Sequence, residues 1–483
     1  MKTSDDQRLK GWFFLPTRPD DRIPGILIWS QEAGAVLELI GGYSPKPTYE
    51  EIGPGVLQTN QLIGDIRAGT IYGVTDSGKN LSLWAAEREN VKANGRGRIV
   101  EEFWRAAWVC IGAHLSSADA ADLDHLSVGL DYLFDLTVDA RFCPPQWAQI
   151  EGVEHAGELQ DDGTLLMPYQ LPVVGGHRAS VALGSLGDTP YWIGTRATYP
   201  WVSPAIEAMP ELKLNMMTRR RRGGPSIEIA VSAYARIDRG AASSGSAEML
   251  LQSIQPLLGL MSLATFDSAG VEWLQATTRC DDEVTLLCRT GNESKHDEVA
   301  EPGALVFTLN DVSLQEFLDA WSLLTSGEQA KYAWGVVVGL IGHSALMVEE
   351  HVSQALAAAE GFHTWCLGGG MNKSLESRLI SLHDELPDSW KDQLAVDVER
   401  WSNWSVWARN HVAHGGAKQH RVVGDFYQLH IVADSVKLIT YLAALQKIGV
   451  PENKVTEALL NHPRLHVLAE RCAELASLPS PPA

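Results

Sequence analysis

Toward the C-terminal end of the chain, the run Trp401-Ser-Asn-Trp-Ser-Val-Trp-Ala-Arg409-Asn410-His411-Val-Ala-His414-Gly415-Gly416 sets arginine, asparagine and histidine at close helical spacing and stops at a glycine pair. A helix turns by about 100° per residue, so Asn410 and His414 share one face, and the long Arg409 side chain can swing to the same point. The chemistry converges on a phosphate. Arginine grips phosphate oxygens with a permanent planar fork, histidine gives or takes a proton near neutral pH, and asparagine orients both through neutral hydrogen bonds. Cleavage of RNA without a metal asks for this set: a base for the substrate's own 2′-hydroxyl, a cation for the crowded phosphorus, and an acid for the departing 5′-oxygen. By residue type His414 is the base or acid, Arg409 holds the nonbridging oxygens, and Asn410 orients His414 or the phosphate. His411 takes a supporting place. The expected products are a 2′,3′-cyclic phosphate and a 5′-hydroxyl, and no cofactor is required.

The bare spacing of Arg then His occurs three times. Arg289 to His296 crosses a polar loop with no fixed geometry, and Arg378 to His383 reads as the polar flank of an amphipathic helix. The third copy differs, because Arg409 is followed directly by Asn410, a helix end is signalled by Gly415-Gly416, and Trp390, Trp401, Trp404 and Trp407 precede it. A structural alternative stays open: cations such as Arg409 and His414 are favoured at a helix C-terminus by the helix dipole.

These residues must be held by a helical scaffold, and the sequence supplies one. Beyond residue 310 apolar residues recur at helical spacing. Asp311 with Ser313 offers an N-cap for Leu314 to Leu324, and Glu328 to Leu367 forms one long helix or two abutting ones. Pro387 opens a helix that runs through the motif, followed by helices over Phe426 to Ile448 and Lys454 to Ala476. In the long helix, Ala357-Ala-Ala-Glu360 lets a neighbouring helix approach closely, and Glu360 could pair with Arg409 or fix a histidine tautomer. Glu349 and Glu350 are weaker choices, since adjacent residues point apart.

Upstream the pattern is β-rich. Runs such as Gly25-Ile-Leu-Ile-Trp29 and Val36-Leu-Glu-Leu-Ile40 alternate or are β-branched, and Thr75-Asp-Ser-Gly78 before Leu81-Ser-Leu-Trp84 reads as a hairpin. Phe103 to Ile111 suits either a strand or a buried helix. Ser226 to Ser232 alternates, Glu248 to Ala264 has helical periodicity, and two strands flank an Asp281-Asp282 turn. The fold class expected is α+β: a β-rich domain of sandwich or barrel type over 1–300, a helical bundle over 301–477, and a disordered tail over 478–483.

The chain has 483 residues, 45% of them hydrophobic and 20% charged, an ordinary globular composition. Its six cysteines form no C-x-x-C pair, which fits core thiols in a reducing cytoplasm. The polar start lacks a signal-peptide core, and Trp334 to Gly342 is too short to span a bilayer, so a soluble cytoplasmic protein is expected. Net charge is −21, unlike a protein that binds nucleic acid broadly. Any RNA site must therefore be local. Two basic places offer weak substrate contacts: Arg219, Arg220, Arg221 and Arg222 in the middle, equally readable as a solvated loop, and Lys418 and Arg421 beside the motif.

The C-terminal part resembles the HEPN superfamily of helical ribonucleases, through Arg409-Asn410-His411-Val412-Ala413-His414. The N-terminus, Gly11-Trp-Phe-Phe-Leu-Pro16 with Ile23-Pro-Gly-Ile-Leu-Ile-Trp29 and Ala35-Val-Leu-Glu-Leu-Ile-Gly41, resembles the domain found ahead of HEPN in ApeA-type antiphage proteins. The resemblance implies an endoribonuclease that restricts phage by growth arrest. It also implies an acidic or polar side chain on an earlier helix, for which Glu360 is placed best, and a homodimer that pairs two Arg/His sets. Transfer RNA is the expected target because its anticodon loop exposes unstacked nucleotides, and a phage product is the expected trigger.

Two other readings remain at this point. His411-x-x-His414 with His420 or His430 could hold a divalent ion, although no acidic residue sits in a zincin arrangement. The bundle could also be a noncatalytic binding module, against which the intact Arg-Asn-x-x-x-His argues. Neither a nucleophile elbow nor a phosphate-binding glycine loop is present.

Overall fold

Where apolar residues alternate with polar ones in the N-terminal region, the chain forms antiparallel strands. The computed structural model describes residues 7–30, 33–43, 49–53, 56–59, 67–93, 100–117, 123–133, 136, 146–149, 158–159, 165–166, 170–174, 177–178, 192–195, 211–223, 226–238, 254–289, 304–342, 347–413 and 426–478.

The first six strands of the main sheet are β1 (Gln7–Phe14), β2 (Ile23–Ser30), β3 (Gly34–Ile40), β4 (Arg67–Thr75), β5 (Asn80–Ala93) and β6 (Val100–Ala106). They pair in the order β5-β4-β1-β2-β3-β6, and β6 pairs in turn with the far half of β5. That return closes a barrel, which settles the sandwich-or-barrel expectation. Closure leaves these strands without an open edge, and alternate side chains fill the interior: Phe13, Leu27, Trp29, Leu37, Ile71, Leu83 and Trp104. The predicted hairpin is present at Thr75–Asn80, with Gly78 in the left-handed region at φ 82°.

The sheet continues past the barrel. Its further strands are β7 (Trp108–Ile111), β8 (Leu123–Leu130), β9 (Trp192–Thr195), β10 (Glu211–Gly223), β11 (Ser226–Asp238), β12 (Val271–Thr278) and β13 (Glu283–Cys288). They run outward from β5 in the order β7-β13-β12-β8-β11-β10-β9. The ambiguous stretch Phe103–Ile111 is therefore two strands broken at Ala107. The four-arginine run, readable from sequence as a solvated loop, is strand: Arg219, Arg220, Arg221 and Arg222 pair with Ala230, Ile229, Glu228 and Ile227. Alternation in Ser226–Ser232 signalled only one partner of this ladder.

The described helices are α1 (Gln255–Thr265), α2 (Leu314–Leu324), α3 (Glu328–Gly342), α4 (Val348–Gly361), α5 (Leu375–Asp384), α6 (Asp388–Leu394), α7 (Val398–Ala413), α8 (Phe426–Ile448), α9 (Glu452–Asn461) and α10 (Pro463–Ser477). Ser313 caps α2 in a reciprocal capping box with Glu316. The long segment from Glu328 is two helices, the second running into a π turn over Phe362–Cys366.

Two helix expectations need correction. The helix opened by Pro387 does not reach the motif: it stops where Ala395 turns left-handed at φ 48°, and Asp397 starts a new helix by accepting from the Arg400 amide at 3.1 Å. Likewise Lys454–Ala476 is broken at His462, because Pro463 has no amide to donate and forces the preceding residue out of the helix. The His462 ring then caps α10, its Nδ1 accepting from the amides of Arg464 and Leu465.

Sheet and bundle share one core. It runs from Trp84, Leu126 and Leu274 through α1 to Phe317, Trp334, Trp401, Trp404 and Leu442. The Tyr441 hydroxyl on α8 donates to the Leu263 carbonyl of α1 at 2.6 Å. Cys110, Cys288 and Cys472 are buried thiols, and burial pushes each up to about 12.

Candidate active site

Helix α7 is built to hold its motif still. Trp401, Trp404, Ser405 and Ala408 recur at helical spacing and are buried. The indole of Trp401 donates to the Ser435 hydroxyl on α8 at 3.0 Å, and that of Trp390 donates to the Glu452 carbonyl at 3.0 Å. Trp407 packs partly buried against the same core. The tryptophans that precede the motif are thus its anchor, with Trp390, Trp401 and Trp404 fully enclosed. Immediately after the buried Ala408, Arg409 emerges with its side chain 54% exposed, available to an incoming anion.

Asn410 and His411 follow half-buried, and the Nδ1 of His411 is enclosed without a hydrogen-bond partner among the described residues. His414, Gly415, Gly416, Lys418, His420 and Arg421 lie outside the described residues, as does His296. Of the rival metal reading, His411 and His414 with His420 or His430, only His411 and His430 are placed. His430, at the start of α8, packs edge-on against the His351 ring at 6.0 Å.

Glu360 faces the motif helix. Its Oε1 stands 3.7 Å from the Nε of Arg409. The approach is possible because Ala358 and Ala359, the small residues before it, are fully buried and let neighbouring helices come close. Glu349 and Glu350 lie in the first turn of α4, the opposite end of the helix.

A residue set aside from the sequence joins this contact. Arg378, on α5, donates from one terminal nitrogen to Glu360 Oε2 at 2.8 Å and from the other to the Met371 carbonyl at 2.7 Å. It is 13% exposed. Its expected place on the polar flank of an amphipathic helix is right as far as the helix goes, since Leu375, Leu379 and Leu382 form the buried face. What periodicity could not signal is the carboxylate that meets that flank from another helix. Its companion in the second Arg-to-His copy, His383, is buried on the core side and forms no pair with Arg378.

Just past Glu360, His363 sits in the π turn at 3% exposure. Its ring lies under the backbone of Gly369, where a Cβ would overlap it. Burial first, then the nearby charges of Lys373 and Arg378, hold its pKa below the usual histidine value. Two guanidinium groups, those of Arg409 and Arg378, thus share the one carboxylate of Glu360, within a chain of net charge −21.

Comparison with known proteins adds the family context. Residues 8–143 match the family model of ApeA N-terminal domain 1, and residues 319–454 match Apea-like HEPN. Together the matches give the chain the two-domain architecture of ApeA-type proteins. The second match contains Glu360, Arg378, Arg409 and His414. No curated protein and no solved structure matches the chain. None of the described helices is long and apolar enough to cross a membrane.

Proposed function

We propose that this chain, ApeA-type in its two domains, is a cytoplasmic antiphage defence protein whose HEPN domain cleaves RNA without a metal. The observation that carries the reading is Arg409. It is half exposed beside a buried tryptophan anchor, and a carboxylate on a second helix steers its guanidinium within the matched HEPN segment.

The roles follow from chemistry. Arg409 binds the nonbridging oxygens of the scissile phosphate and stabilises the charge that builds on them. His414 moves the proton between the 2′-hydroxyl and the leaving 5′-oxygen, and Asn410 orients it, with His411 in support. A second protomer supplies another Arg/His set across a two-fold axis, giving the reaction both an acid and a base. Lys418, Arg421 and the Arg219–Arg222 strand add phosphate contacts along a longer RNA. The barrel-bearing region serves as sensor or restraint, released by a phage product. The favoured substrate is a host transfer RNA cut in its exposed anticodon loop.

Mapping RNA ends in cells during phage infection tests the proposal. New ends clustered in one loop with wild type, and absent with His414→Ala, are expected. Infection that arrests growth without His414-dependent RNA ends would leave the bundle a noncatalytic binding module.

A further inference from the structure

We propose that Arg378 is a positioning residue of this site: it clamps Glu360 and thereby sets both the place and the residual charge of Arg409. This rests on the ribonuclease reading above. The two oxygens of Glu360 are divided between two helices. Oε2 is taken by Arg378 on α5 in a charge-assisted hydrogen bond of 2.8 Å, and Oε1 faces Arg409 on α7 at 3.7 Å.

The division has a consequence for phosphate binding. A glutamate with both oxygens free closes on an arginine in a bidentate fork and cancels its charge. Here one oxygen is engaged, so Glu360 steers Arg409 from one side. Two guanidinium groups and one carboxylate leave a local charge of about +1, which the Glu360–Arg409 pair alone would lack.

Arg378 itself does not reach substrate. Its terminal nitrogens are engaged by Glu360 and by the Met371 carbonyl, its Nε is enclosed without a partner among the described residues, and the side chain is 13% exposed. To touch a phosphate it would have to abandon both bonds. Its grip on Met371 also ties the segment that overlies His363 to the same clamp, because Gly369 donates to the His363 carbonyl at 2.9 Å.

The experiment compares wild type, Arg378→Met, Arg378→Lys, Arg409→Lys and the double variant Arg378→Met/Arg409→Lys, each as the full chain. Each is assayed on a short single-stranded RNA, with kcat and KM separated. Folding is followed by circular dichroism and thermal melting. Arg378→Met should lose at least about tenfold in kcat/KM, with weaker RNA binding because the local positive charge is gone. Arg378→Lys should recover binding but not the full kcat, since one ammonium cannot hold Glu360 and Met371 in a fixed fork. In the Arg409→Lys background, removing Arg378 should still weaken binding but cost almost nothing further in kcat, because the guanidinium it positions is already gone.

Wild-type kinetics in a folded Arg378→Met, or kcat losses that multiply in the double variant, would overturn the inference alone. If Arg378→Met does not fold, Arg378→Lys carries the test, and full kcat in that variant overturns it. A wild-type chain that cuts no RNA removes the ribonuclease reading and this inference together.

Discussion

Glu360 Oε1 stands 3.7 Å from the Nε of Arg409, so the last turn of α4 fixes a residue near the end of α7, and the same carboxylate takes a 2.8 Å hydrogen bond from Arg378. Glu360→Gln keeps the shape and removes the charge. We expect RNA cleavage to fall by at least about tenfold. Stability should fall by roughly 1–3 kcal/mol, because the poorly exposed Arg378 loses its counter-charge. Urea melts beside a cleavage assay check both; unchanged values in each would remove Glu360 from the site.

Arg409→Lys separates chemistry from folding. The side chain is half exposed, so the substitution should change stability by no more than about 0.5 kcal/mol. Cleavage should nonetheless fall by at least about a hundredfold while staying measurable, since a point charge does not reproduce the bidentate grip. Trp404→Ala should do the reverse kind of damage, costing roughly 3–5 kcal/mol by emptying a fully buried site.

The second Arg-to-His copy gives a contrast within one helix. His383 is buried and forms no pair with Arg378, so His383→Ala should lower stability by roughly 1–3 kcal/mol and leave the activity of the folded fraction intact. A folded His383→Ala chain that cannot cleave RNA would show that the wrong histidine had been chosen.

One contact of this site, Glu360 with Arg409, was readable before the structure. The small alanines that permit close approach, together with the resemblance to HEPN proteins, pointed to Glu360 as a partner for Arg409, and the tryptophans before the motif were visible without their role as its anchor. The helix breaks at Ala395 and His462 were harder. The first needs a left-handed alanine, which no residue type announces, whereas Pro463 carried a signal for the second that the helix expected over Lys454 to Ala476 passed over. Arg378 was set aside as the polar flank of its helix because its partner comes from another helix, and a sequence pattern reports only which face a residue occupies. The arginine strand was hidden for a related reason: a run of like charges reads as solvated until its ladder with Ser226–Asp238 is known.

Acid should destabilise the bundle through its buried histidines. Burial is the leading cause that lowers His363, His383 and His462 from the ordinary 6.5. The unfolded chain therefore binds protons at a higher pH than the folded one, and stability rises with pH in that window. The contribution is fully present above about 6.5 and is lost as pH falls through the lowered folded values. His462→Asn retains a capping acceptor for α10 but does not titrate. Its unfolding free energy should decline less steeply than wild type between pH 7 and 5. Identical slopes would contradict this assignment.

The most direct test of the central claim is cleavage of a defined RNA by the purified full chain in excess EDTA, with phage lysate present as trigger and the ends of the products identified. The account predicts 2′,3′-cyclic phosphate and 5′-hydroxyl ends, no cut where the scissile nucleotide lacks its 2′-hydroxyl, a steep decline with salt, and no product from His414→Ala. Activity abolished by EDTA and restored by zinc, or products bearing 3′-hydroxyl ends, would contradict it.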